Sequence, residues 1–91
     1  MSDAMKAKMH ELAARFAAQV GNYRAVLEQA MNANDLGEVQ ALAHKLAGIA
    51  PMFGYENVGN AALDLEDAVS AGENHSAAAQ QLDFLLASIE A

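Results

Sequence analysis

Apolar side chains recur three and four positions apart along most of this chain, the interval that gathers them onto one stripe of an α-helix. That repeat sets the fold class. Met5, Met9, Leu12, Phe16 and Val20 form a first stripe, with Ser2 or Asp3 placed to cap its helix. Gly21-Asn22 weakens the segment, so a kink or short break is expected near residue 21 before Tyr23, Val26, Leu27, Ala30 and Met31 resume the pattern as far as Ala33. Asn34-Asp35-Leu36-Gly37-Glu38 then reads as a tight turn into a new N-terminus, with Asp35 as cap and Glu38 at the capping-box spacing.

The second stripe is Val39, Leu42, Leu46, Ile49 and Phe53. Pro51 cannot donate to the carbonyl of Ala47, so the last turn should distort, and Gly54 can end it in a left-handed cap. A further helix from about Glu56 to Ala71 carries Val58, Ala62, Leu65 and Val69, and Gly72 ends it. A final helix, starting near Asn74 to Ser76, is expected to bury Ala78, Leu82, Leu85, Leu86 and Ile89. The methionines and Phe16, Phe53 and Phe84 read as core.

Composition agrees: 22 alanines, no threonine or tryptophan and one proline are an alphabet for helices and a poor one for strands. With short linkers, the expected architecture is all-α, an antiparallel up-down bundle with a four-helix core, its first segment one helix or two. Ninety-one residues leave room for a single domain, residues 1–91.

The formal charge of −7 opposes phosphate-backbone binding, so nucleic acid is not an expected partner. All five basic residues, Lys6, Lys8, Arg15, Arg24 and Lys45, lie in the first 45 positions, and the net charge belongs to residues 46–91. The absence of cysteine removes disulfides, thiolate catalysis and sulfur-ligated metals. No apolar run approaches the roughly 20 residues that span a bilayer, and no signal segment opens the chain, so no membrane association and a cytoplasmic location are expected.

One residue stands out chemically. At 100° per residue, His44 lies about 160° around its helix from Leu42 and Leu46, which turns it toward solvent. A glycine, Gly48, sits one turn further on, where it costs about 1 kcal/mol relative to alanine. With Ala41 and Ala47 beside it, Gly48 leaves a patch nearly free of side chains around His44, as a close approach by another molecule would require. An exposed imidazole has a nucleophilic ring nitrogen that can accept a phosphoryl group, although an ordinary surface histidine would show the same exposure.

The stretch Ala43-His44-Lys45-Leu46-Ala47-Gly48, followed by Phe53-Gly54, Val58, Ala61-Ala62 and Leu65-Glu66, resembles the histidine-containing phosphotransfer (HPt) domain of two-component phosphorelays. The resemblance is carried by residues 43–66 and extends more weakly over nearly the whole chain. It departs from the family where a frequent lysine, three residues after the histidine, is Ala47 here, while Lys45 directly follows His44. Pro51 is a smaller departure.

The resemblance implies that His44 is a phosphoacceptor, taking a phosphoryl group from the aspartate of one response-regulator receiver domain and passing it to another. It implies a carrier with no kinase activity of its own, with a hybrid histidine kinase as a further partner. A monomer is the expected state, and the sequence leaves dimerisation open. It places Mg²⁺ on the receiver and no cofactor on this chain. Gly48, with Ala41 and Ala47, would give the receiver clearance. Lys45 would screen the roughly −1.5 to −2 charge of a phosphoryl group, or remain a solvated surface lysine. Gln40, one turn back, would hydrogen-bond the ring or the phosphoryl group, or serve as an ordinary surface glutamine. Glu66 would be packed as in the family, within an otherwise solvated acidic face of Asp64, Glu66 and Asp67.

Other chemistries find little support. His10 and His75 share no metal-ligand spacing and no Glu-x-x-His occurs, so no metal site is expected. No Gly-rich phosphate loop is present, and Asp35 is followed by leucine rather than by the serine an acyl carrier protein needs. The remaining rival is a helical adaptor that binds a receiver or another signalling protein without phosphotransfer. Length and the start at Met1 lead us to expect a free-standing relay protein, and a domain of a larger kinase fits equally.

Overall fold

The computed structural model describes residues 3–90, which form four α-helices and one 3₁₀ turn, with no strand among them. They are α1 (Asp3–Asn32), α2 (Leu36–Ile49), α3 (Glu56–Ser70) and α4 (Ser76–Glu90), the 3₁₀ turn Pro51–Phe53 lying between α2 and α3. Short connections turn each helix back on the one before. Around the resulting ring, α1 packs on α2 and α4, and α3 packs on the same two.

Local chemistry sets the corners. Asn34 takes the left-handed conformation (φ 54°) that asparagine tolerates, and the Asp35 side chain then accepts a hydrogen bond from the Glu38 backbone N–H at 3.2 Å, capping α2 as its sequence predicts. At the other end of α2 the missing N–H of Pro51 tightens the chain into the 3₁₀ turn, which Gly54 closes at φ 91°. The Pro51 ring then rests on the backbone of α3. A Cβ on Gly59 would fall 2.5 Å from Pro51 Cγ, so only glycine admits this approach.

Phe16, Val20 and Leu27 from α1 meet Val39, Leu42 and Leu46 from α2, Val58 and Leu65 from α3, and Leu82 and Leu86 from α4 in one core. Phe16 also stacks on Tyr55 at 5.1 Å between ring centroids and touches Phe53 and Tyr23. This aromatic cluster closes the end of the bundle at the 3₁₀ turn.

Several sequence expectations are corrected. The first segment is one continuous helix of 30 residues, with no break at residue 21. A glycine costs a helix about 1 kcal/mol, whereas burying Val20 and Leu27 on either side is worth about 1.5–3 kcal/mol each, so tertiary packing carries α1 through. Gly21 also leaves room for α4, since a Cβ there would lie 3.0 Å from Glu90 Oε1. The cap expected at Ser2 or the Asp3 side chain lies outside the described residues. Met5 and Met9 are exposed, because α1 is twice as long as the helices available to cover it. Met52 and Phe84 are exposed too, and Ala78, Leu85 and Ile89 are only half-buried.

Candidate functional site

The α2–α3 pair carries the chemistry. Helices packed antiparallel bring residues four apart on one into step with residues four apart on the other, and two polar rungs follow that register. Gln40 Nε2 donates to Ser70 Oγ at 2.7 Å, and one turn along His44 Nδ1 lies 2.6 Å from Glu66 Oε2. The third turn of the same face carries Gly48, where a Cβ would meet nothing within 4 Å.

His44 and Glu66 differ sharply in burial. The imidazole is 80% exposed, while the Glu66 side chain is 19% exposed, held between the helices. An ionised carboxylate has no proton to give, so Nδ1–H is the donor in this short bond. In the neutral ring that bond places the proton on Nδ1 and leaves the Nε2 lone pair toward solvent. A carboxylate thus holds the ring from behind and leaves its other nitrogen open to an approaching group.

The remaining expected residues are placed as follows. Ala41 is exposed and Ala47 half-buried, so the surface around the ring is low. Ala41 also lines a shallow groove between α1 and α2 with Tyr23, Val26 and Lys45. Lys45 Nζ lies 5.4 Å over the Tyr23 ring centroid, within cation–π range, which draws its ammonium toward α1. Gln40 is occupied by Ser70 rather than by the ring. Asp64 and Asp67 are exposed.

The sequence reading places Glu66 in the acidic face without a role at the ring. Its signal is present in the register: residues 44 and 66 pair once 40 and 70 do, and Leu65 beside it is fully buried, which turns Glu66 toward the α2 interface. Among the described residues no group of three or more His, Asp or Glu is arranged to hold a metal ion, and no helix is long and apolar enough to cross a membrane.

Fold and site together define a small antiparallel four-helix bundle that displays one carboxylate-oriented imidazole on an open face. A family model described as the Hpt domain matches residues 11–91, and the chain belongs to that family. Its role is therefore histidine phosphotransfer in phosphorelays, with two-component proteins such as receiver domains as the class of partner. No curated protein and no solved structure matches the chain.

Proposed function

We propose that His44 is the phosphoacceptor, through Nε2, in transfer between the aspartates of two receiver domains. The observation that carries this reading is the 2.6 Å bond from Nδ1–H to Glu66, which leaves Nε2 as the exposed basic nitrogen. The Nε2 lone pair attacks the phosphorus of an aspartyl phosphate in line with the leaving oxygen. An N–P bond forms, the P–O bond breaks, and its electron pair returns to the aspartate carboxylate. With a proton still on Nδ1, the ring becomes cationic as the N–P bond forms, and the Glu66 carboxylate balances that charge from a sheltered position. The reverse step uses the same groups, so the chain acts as a carrier in either direction and needs no kinase activity of its own.

Docking follows from the relief around the ring. Ala41, Ala47 and Gly48 let the receiver's loops come down over His44, and the groove beside Ala41 offers apolar contact from Tyr23 and Val26. Mg²⁺ belongs to the receiver, where the acyl phosphate is formed. Lys45, long and flexible, swings from Tyr23 toward the phosphoryl group when that charge arrives. Gln40 keeps its rung to Ser70 and stiffens the α2–α3 seam beneath the ring.

Incubation with a phosphorylated receiver tests the proposal. Label moves onto the wild-type chain and not onto His44→Gln. Failure of label to reach the wild type from any cognate receiver, or its arrival on His44→Gln, overturns the assignment. Tight receiver binding without transfer instead establishes the adaptor.

A further inference from the structure

Two surfaces lie outside the site around His44. The first is the N-terminal half of α1. At about 1.5 Å per residue α1 is about 45 Å long, against about 21–23 Å for each of its neighbours, so it projects beyond them. Its first buried residue is Phe16, and residues 4–11 are exposed. Met5, Met9 and Leu12 continue the Phe16 stripe onto this overhang at spacings of four and three, with Met9 50% exposed. Lys6 and Lys8 flank the stripe. Among the described residues Arg15 pairs with Glu11, Arg24 with Asp83 and Glu90, and Lys45 with the Tyr23 ring, while Lys6 and Lys8 engage no such group. The overhang lies mostly ahead of residue 11, where the Hpt match begins.

The second surface is an open groove of about 820 Å³ between α1 and α4. Leu27 and Met31 line it, and Phe84 stands at its side with 68% exposure. Its rims are acidic: Glu28 on α1, Asp83 and Glu90 on α4. Arg24 offsets one of these three charges, bound through Nε to Asp83 at 2.8 Å and through Nη1 to Glu90 at 2.6 Å, which leaves the rim negative.

Each surface is the complement of the other. The overhang carries two lysines beside an apolar stripe, and the groove sets Met31 and Phe84 between acidic rims. Residues 3–15 make a helix about 20 Å long, close to the span of α4 that walls the groove. Beyond Lys45 the sequence contains no lysine or arginine, and Arg15, Arg24 and Lys45 are engaged within their own bundle, which leaves Lys6 and Lys8 as the bases beside an exposed apolar stripe. We propose that a second copy of this chain fills the groove with its α1 overhang, Met5, Met9 and Leu12 facing Phe84 and Met31, and Lys6 and Lys8 facing Glu28 and Asp83. In the helix ring the α1–α4 pair lies opposite the α2–α3 pair, so self-association leaves His44 open. The contact is small and charge-assisted, which makes it salt-sensitive and concentration-dependent.

Sedimentation velocity across a concentration series tests this on the full chain. The wild type gains mass with concentration, and added salt reverses the gain. An overhang variant, Lys6→Glu with Lys8→Glu, and a groove variant, Glu28→Lys with Phe84→Ser, each weaken association about tenfold or more. All four positions are exposed, and circular dichroism shows both variants folded. Mixing the two variants restores a 1:1 complex, because the groove variant keeps a wild-type overhang and the overhang variant keeps a wild-type groove. Wild type that stays monomeric at every concentration, variants that associate like the wild type, or a mixture that fails to pair each overturn the proposal. Phosphotransfer is unaffected in both variants, so the outcome is independent of the assignment at His44.

Discussion

Replacing Glu66 with alanine isolates what the carboxylate contributes to His44 as the proposed nucleophile. A hydrogen bond to a charged group is worth about 1.5–3 kcal/mol, and the 80% exposure of the imidazole lets water replace part of it, which brings the loss to about 1–2 kcal/mol. If the carboxylate acts mainly as the ring becomes cationic, that loss falls on the transition state and slows transfer about 5- to 30-fold. Glu66→Gln should fall between, since an amide oxygen still accepts from Nδ1–H but carries no charge. The assay is the initial rate of label transfer from a phosphorylated receiver. It is paired with ¹⁵N chemical shifts of the His44 ring, which report where the proton resides. The wild type shows the Nδ1–H form, and Glu66→Ala shows a mixture of tautomers. A full transfer rate in Glu66→Ala together with an unchanged tautomer refutes the argument that this carboxylate orients the ring.

Three further outcomes follow from the same geometry. Gly48→Leu fills open space in mid-helix, so it should raise stability to chemical denaturation by up to about 1 kcal/mol while cutting transfer at least tenfold. Normal transfer by that variant removes the clearance argument. Gly59→Ala drives a methyl into the Pro51 ring and should destabilise the fold by about 1–3 kcal/mol in the same unfolding experiment; an unchanged midpoint means the 3₁₀ turn yields at little cost. Lys45→Ala should slow transfer or shorten the lifetime of the phosphorylated protein without altering helicity. Unchanged kinetics and lifetime assign Lys45 to its contact with Tyr23 alone.

The helices α2, α3 and α4 are legible in the sequence because their caps and stops are local: Asp35 with Glu38, Pro51 with Gly54, and Gly72 at φ 69°. The path of α1 is not. Gly21-Asn22 carries a local signal for a break that burial of Val20 and Leu27 overrides, and that burial depends on helices distant in sequence. The same limit applies to Met5, Met9 and Phe84. A stripe at helical spacing identifies a face but not whether a neighbour is long enough to cover it. At the site, the solvent-facing position of His44 and the open space at Gly48 are properties of one helix, and the wheel finds both. Glu66, Ser70 and Tyr23 act across helix pairs. Their partnerships with His44, Gln40 and Lys45 need the register of α3 and α1 against α2, which no single-helix pattern contains.

Under the proposal, one nitrogen of one ring, Nε2 of His44, receives the phosphoryl group while Nδ1 keeps its proton for Glu66. Heteronuclear NMR of the ¹⁵N-labelled chain, phosphorylated by a receiver, tests it most directly through ³¹P coupling to the ring nitrogens. The expected spectrum has phosphorus coupled to Nε2 of His44, with Nδ1 protonated and bound to Glu66. Coupling to Nδ1, phosphorylation at another residue, or no phosphorylated histidine contradicts it.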